Sequence, residues 1–163
     1  MKLYKYLALA TLVVAACQSE PSKTVEVEDK AATLDNMENM DSEKTLVLPW
    51  SVQMDDATQA MQIKRDPAAD MTNLKPEDIV DALNLKYPEI KMQWVKLEGS
   101  KAFVTIPEAT YLTQQSGSEG ARAYLAEATY SLTELKGITS VEFDFEEGDH
   151  ARPGVYQRAN FKF

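Results

Sequence analysis

The sequence predicts an α+β fold: two helices packed on a small mixed sheet, in the core order helix, strand, strand, helix, strand, with extra N-terminal strand(s). Three observations carry this. Two stretches, around Ile79–Tyr87 and Ala121–Leu135, repeat apolar residues at helical spacing. Two β-rich runs flank the turn Glu98-Gly99-Ser100-Lys101. After the second helix the chain alternates as Val141-Glu142-Phe143-Asp144-Phe145, the period of a strand with one buried face.

The elements follow in order. Thr45–Gln53 reads as a strand on Leu46, Val47, Leu48, Trp50 and Val52, and Pro49 places it at an edge. Ala60–Asp66 reads as a second short strand and residues 67–74 as a loop. Lys75–Pro88 reads as a helix. Pro76 suits its first turn, Glu77 and Asp78 favour the positive end of the dipole, and Pro88 stops it. Ile79, Val80, Leu83 and Tyr87 share one face. In the hairpin, Ala102, Val104 and Ile106 oppose Phe103 and Thr105. Simple alternation sets Met92, Trp94 and Lys96 against Gln93, Val95 and Leu97, so both sheet faces are partly apolar. The second helix opens at a Ser/Gly-rich loop, with Ser116 and Glu119 spaced as a capping box. It carries an apolar stripe of Ala121, Leu125, Ala128, Leu132 and Leu135 and stops at Lys136-Gly137. The strand Ile138–Gly148 closes the core.

Length and composition set limits on function. A chain of 163 residues with 44% apolar content suits one domain with a real core. A formal charge of −9 argues against a nucleic-acid partner, because phosphate binding needs a basic surface. With one cysteine, Cys17, neither an internal disulfide nor a cysteine zinc cluster can form.

The N-terminus reads as a targeting segment. Lys2 and Lys5 form a positive start, and the mostly apolar run Tyr6–Ala16 is too short to span a bilayer as a helix. It ends Val14-Ala15-Ala16-Cys17, which resembles the bacterial lipobox, where cleavage precedes an acylated cysteine; a plain secretory signal is the alternative. The resemblance implies a signal peptide over 1–16 and a lipid on Cys17, holding the protein to a membrane on the extracytoplasmic side. Gln18 in place of aspartate favours the outer membrane where the organism has one. Residues 17–43 then form the lipidated cysteine and a disordered acidic tether. Within 18–43, eight acidic residues, two lysines and no aromatic leave too little apolar surface for a core. A short helix around Ala31–Met40 is the alternative. As a coil the tether reaches roughly 28 Å. The folded domain spans 44–163.

Ala102–Ala109, the loop Gly117–Gly120, Ser131–Ile138 and Val141–Gly148 together resemble the GerMN, or sporulation and spore germination, domain. Residues 76–84 resemble that family's first helix. The similarity covers roughly Thr45–Phe163 and is strongest over Ala102–Gly148. It implies a non-catalytic interaction or assembly module of the cell envelope, with a protein partner or self-association, and no catalytic, metal or cofactor residues to carry over. The single copy and the segment after Gly148 depart from the family's pattern.

Four constellations invite chemistry. Glu142, Asp144, Glu146, Glu147 and Asp149 with His150, the only histidine, supply carboxylates and an imidazole for a metal ion or small cationic ligand. Alternation explains Glu142, Asp144 and Glu146 as the solvated face of a strand. The loop Ser116–Gly120 before a helix suits an anion, but Glu119 opposes one and no P-loop lysine is present. A nucleophilic triad would need His150 as base, and no Gly-x-Ser-x-Gly elbow occurs. Finally, Met92, Trp94 and Phe103 on the second sheet face, with Val155, Tyr156, Phe161 and Phe163 in the tail, either cover one another or form a protein-binding surface. No catalytic, cofactor or metal site is assigned, and Cys17 is the one site residue expected.

Overall fold

The computed structural model describes residues 46–163. The predicted signal peptide, Cys17 and the tether lie outside the described residues. Within them the fold is α+β. A two-stranded antiparallel sheet, β1 (Trp50–Met54) and β2 (Met61–Arg65), precedes a four-stranded mixed sheet. Pro49 sits just ahead of β1, not inside it, where its missing N–H costs the ladder nothing. Asp55 organises the hairpin turn by accepting from the N–H groups of Ala57 and Thr58 and the Thr58 hydroxyl.

Helix α1 (Pro76–Lys86) begins as expected, with Pro76 in its first turn. The Asp78 carboxylate accepts the Lys75 N–H at 2.7 Å, satisfying a donor at the helix entry. Ile79, Val80 and Leu83 are buried. Asn84 then fixes the start of the next strand, because its side chain both donates to the Met92 carbonyl and accepts the Met92 N–H, each at 2.8 Å.

Strands β3 (Gln93–Glu98) and β4 (Lys101–Thr105) form the predicted hairpin through Gly99-Ser100, and Gly99 supplies the positive φ of 62° that the turn needs. Alternation along β3 fails. The register shifts between Trp94 and Lys96, so that Trp94 pairs with Val104 but Lys96 with Phe103. Val95 is the extra residue of a β-bulge, and everything after it changes face. Met92 is fully buried and Trp94 packs against the core, so neither belongs to the open face where alternation put it.

A π-helical turn (Tyr111–Gln115) runs into α2 (Gly117–Leu132) where the sequence suggested a loop. Ser116 is therefore already helical in backbone, and the capping box with Glu119 does not form. The Ser116 hydroxyl instead donates to the Leu112 carbonyl at 2.8 Å, the back-bonding typical of serine inside a helix. Helix α2 ends at Leu132, short of Lys136. Turns then lead to Gly137, whose φ of 93° lets the chain reverse. The stripe Ala121, Leu125, Ala128, Leu132 and Leu135 is buried as expected.

Strand β5 (Ser140–Asp144) lies parallel to β4, and Val141, Phe143 and Phe145 enter the core. It is not the last strand. A short β6 (Gly154–Tyr156) pairs antiparallel with it, giving the order β3-β4-β5-β6, before a 3₁₀ turn (Arg158–Asn160). Tyr156 stacks on Phe161 and meets Phe143 edge-on, so part of the tail completes the core.

The two helices cover one face of the large sheet. The β1–β2 hairpin packs on the far side of α2, where Trp50 meets Tyr130 edge-on at 5.1 Å. Helix α2 is thus sandwiched, and among the described residues no element covers the other face of the large sheet.

The turn after β5 fits tightly against the π-helical turn. The His150 N–H donates to the Thr113 carbonyl at 2.9 Å, and a methyl group on Gly148 would sit 2.6 Å from the Thr113 Cβ. Gly148→Ala is expected to cost about 1–3 kcal/mol by overpacking. A melting temperature unchanged from the parent would show that the turn can relax.

Candidate interaction surface

The open face of the large sheet is built by alternation in β4 and β5 and by the bulge in β3. One row crosses all four strands in register: Lys96 beside Phe103, Phe103 beside Glu142, Glu142 beside Val155. The Phe103 ring lies between two ammonium groups, with the Nζ atoms of Lys96 and Lys101 each 4.7 Å from its centre. Lys101 also pairs with Glu142 at 2.6 Å. The bulge turns Val95 onto this face, so Val95, Phe103, Glu142, Asp144 and Pro153 line one shallow groove. Val95 and Val155 remain about half exposed, at 54% and 48%. The arrangement is a patch of apolar and aromatic surface edged by charges of both signs, a composition suited to protein contact.

The acidic segment does not converge. Glu142 is held by Lys101, and Glu147 pairs with Arg152 at 2.9 Å. Asp144, Glu146 and Asp149 are exposed. His150 Nδ1 lies 3.2 Å from the Ser118 hydroxyl at the start of α2. That contact joins a serine and the only histidine, but no carboxylate among the described residues orients the imidazole. No three His, Cys, Asp or Glu residues among the described residues gather closely enough to hold a metal ion. In the tail, Val155 belongs to the open face, Tyr156 and Phe161 belong to the core, and Phe163 stacks under the Arg122 guanidinium at 4.6 Å.

Two carboxylates that the sequence did not single out each bind three groups from elements distant in the chain. Glu127, in the middle of α2, is fully buried. It accepts from Lys86 Nζ at 2.5 Å, the Tyr87 hydroxyl at 3.0 Å and the Val52 N–H at 3.2 Å. Burial and then the Glu127 charge push the Tyr87 hydroxyl well above its ordinary pKa, so it stays a donor. Burial does the same for Tyr124, which meets Tyr87 edge-on. Glu134, just beyond the helix, accepts from Arg158 at 2.7 Å, Trp50 Nε1 at 3.0 Å and Arg65 Nε at 3.0 Å. Burial alone would raise its pKa, but the bonds from Arg158, Trp50 and Arg65 together outweigh it and leave the carboxyl at about 2. These residues stand seven apart in the chain, the spacing that returns to one side of a helix. Both fasten the N-terminal hairpin, Glu127 with α1 and Glu134 with the C-terminal turn. The sequence signal was present: two glutamates sit within the longest amphipathic stretch, away from its apolar stripe. Such residues read as solvated until a third layer is known to cover them.

Compared with protein families, with curated proteins and with solved structures, the chain matches none of them. Among the described residues, no helix is long and apolar enough to cross a membrane.

Proposed function

We propose that this is a lipid-anchored cell-envelope protein whose α+β domain, resembling the GerMN domain, is a non-catalytic module for protein association. Cys17 carries the lipid, the acidic tether spaces the domain from the membrane, and a partner protein docks on the open sheet face. The observation that carries the reading is the exposed row Lys96–Phe103–Glu142–Val155 with Val95 beside it, an apolar centre ringed by charges. The lipobox-like Val14–Cys17 supports the anchoring.

A photo-crosslinking side chain placed at Val95 in living cells should capture a discrete protein partner or a second copy. Phe103→Glu should abolish that capture while the domain stays folded, at a cost of about 1–2 kcal/mol read as a modest fall in melting temperature, because the partly exposed ring lies on the outer face and not in the core. A crosslinker that yields nothing from Val95, with a protein that is monomeric after solubilisation, would defeat the reading. Anchoring is tested separately: Cys17→Ser should release the protein from the membrane fraction and end labelling by a fatty-acid analogue.

A further inference from the structure

The β1–β2 hairpin forms a sheet of its own, with no ladder bond to the four-stranded sheet. The buried core runs from Ile79 to Phe161 and draws no residue from it. Every residue of the two strands is half-buried or exposed. A two-stranded hairpin is marginal by itself in water, so this one keeps its form by lying on α2.

The layer beneath it is polar. Three hydrogen bonds run from the hairpin to this layer, and all three end on carboxylates: the Val52 N–H on Glu127, and Trp50 Nε1 and Arg65 Nε on Glu134. Trp50 and Arg65 stand opposite one another in the ladder, at the end of the hairpin where the chain enters from the N-terminal side and leaves towards α1. Glu134 therefore clasps both strands at once. Arg158, from the C-terminal turn, closes the clasp. It donates to Glu134 at 2.7 Å, and its guanidinium lies 5.1 Å from the ring centres of both Trp50 and Tyr130. After the hairpin, residues 66–75 form short turns, closed by the Ala69 N–H on the Asp66 carbonyl at 3.3 Å and the Leu74 N–H on the Met71 carbonyl at 3.5 Å.

We infer that the hairpin is a strap that opens as a unit on residues 66–75, with Glu134 as its latch, while α1, α2 and the four-stranded sheet stay folded. Opening leaves the buried core intact, and the carboxylates it uncovers regain water, which an apolar interface would not. The chain from the predicted anchor enters at the latch. An opened strap therefore adds its own length to the tether, taking the coil's reach from roughly 28 Å to roughly 42 Å. The open sheet face is then presented farther from the membrane with its fold unchanged. This consequence rests on the reading of the chain as tethered; the strap itself does not.

The test is amide hydrogen exchange on detergent-solubilised full-length protein at rising, sub-denaturing urea. The ladder amides of Trp50–Met54 and Met61–Arg65 should share one opening reaction, at least about tenfold more frequent than the one that exposes Lys101–Thr105 and Ser140–Asp144. Ile106 is fully buried and its N–H joins β5. Ile106→Val should speed exchange in β4 and β5 about fivefold and leave the hairpin rates unchanged, because Ile106 stays packed when the strap opens. Glu134→Gln should speed hairpin exchange about tenfold. Hairpin rates that rise together with β4 and β5 in Ile106→Val would mean that the strap opens only when the whole domain unfolds, and would overturn the inference. So would separate opening rates for β1 and β2, or hairpin exchange indifferent to Glu134→Gln. The experiment needs no membrane. A strap that fails it leaves the proposed anchoring and docking standing, and a Cys17→Ser protein that stays in the membrane fraction leaves the strap standing.

Discussion

Glu127→Ala is expected to destabilise the domain by about 3 kcal/mol, lowering the melting temperature by about 10 °C. The reason is the number of groups left without a partner. The Tyr87 hydroxyl and the Val52 N–H lose their acceptor, each costing about 1–3 kcal/mol where water cannot replace it. Lys86 loses less, because its side chain is 40% exposed and its ammonium can return to water. Glu127→Gln keeps the volume and one acceptor and should cost about half as much. The pair also allows a sharper check. Glu127→Gln combined with Lys86→Met should be less destabilising than the two single changes summed, because the second change removes a cation that the first has already orphaned. Since Glu127 touches α1, β1 and α2 at once, its loss should also speed amide exchange in Trp50–Met54 ahead of β4 and β5. A melting temperature within about 2 °C of the parent would show that the hairpin and helix layers hold together without it.

The second large effect is a pH dependence centred on Glu134. Its folded pKa of about 2 lies below the ordinary glutamate value of 4.5, so the folded state holds the proton more weakly than the unfolded state. The sign follows: the contribution to stability is complete above pH 4.5 and is lost as pH falls towards 2. The full shift would correspond to about 3 kcal/mol, but the cationic partners Arg65 and Arg158 are 42% and 36% exposed, so solvent screening reduces it to about 2 kcal/mol. Glu134→Ala should therefore be less stable than the parent at pH 7, and the gap should close as pH falls from 4.5 to 2. The comparison isolates Glu134 from the other carboxylates, which titrate in both proteins. A gap that stays constant down to pH 2 would mean that Glu134 contributes through packing and not through its charge.

Much of the fold was legible because its signals are local. The helix α1 announces itself through Pro76, the Glu77-Asp78 pair and the face Ile79, Val80, Leu83. The apolar stripe of α2 and the alternation of β5 are each set by spacing within one element. The hairpin follows from Gly99, which alone can take the positive φ at no steric cost. The class α+β emerges from these signals added together.

The rest depended on groups far apart in the chain. The bulge at Val95 is invisible to periodicity, since nothing in Gln93–Glu98 marks where β4 will impose its register. One residue of slip sent Trp94 inward and Val95 outward and thereby decided what the open face consists of. Ser116 and Glu119 match a capping box, but whether it forms depends on the preceding backbone. The π-helical turn had already placed Ser116 in helical conformation. The acidic segment looked like a site because five carboxylates and a histidine are neighbours in sequence; in the fold they point to different partners. Glu127 and Glu134 looked like surface residues because their partners, Val52, Trp50, Arg65, Lys86, Tyr87 and Arg158, come from elements far along the chain. The sequence by itself determined the two helices, the β3–β4 hairpin and the buried faces of β4 and β5, because hydrophobic period acts over a few residues. Only the tertiary structure decided the register of β3, the third layer over α2 and the buried carboxylates that secure it, because these are set by long-range pairing that no local spacing encodes.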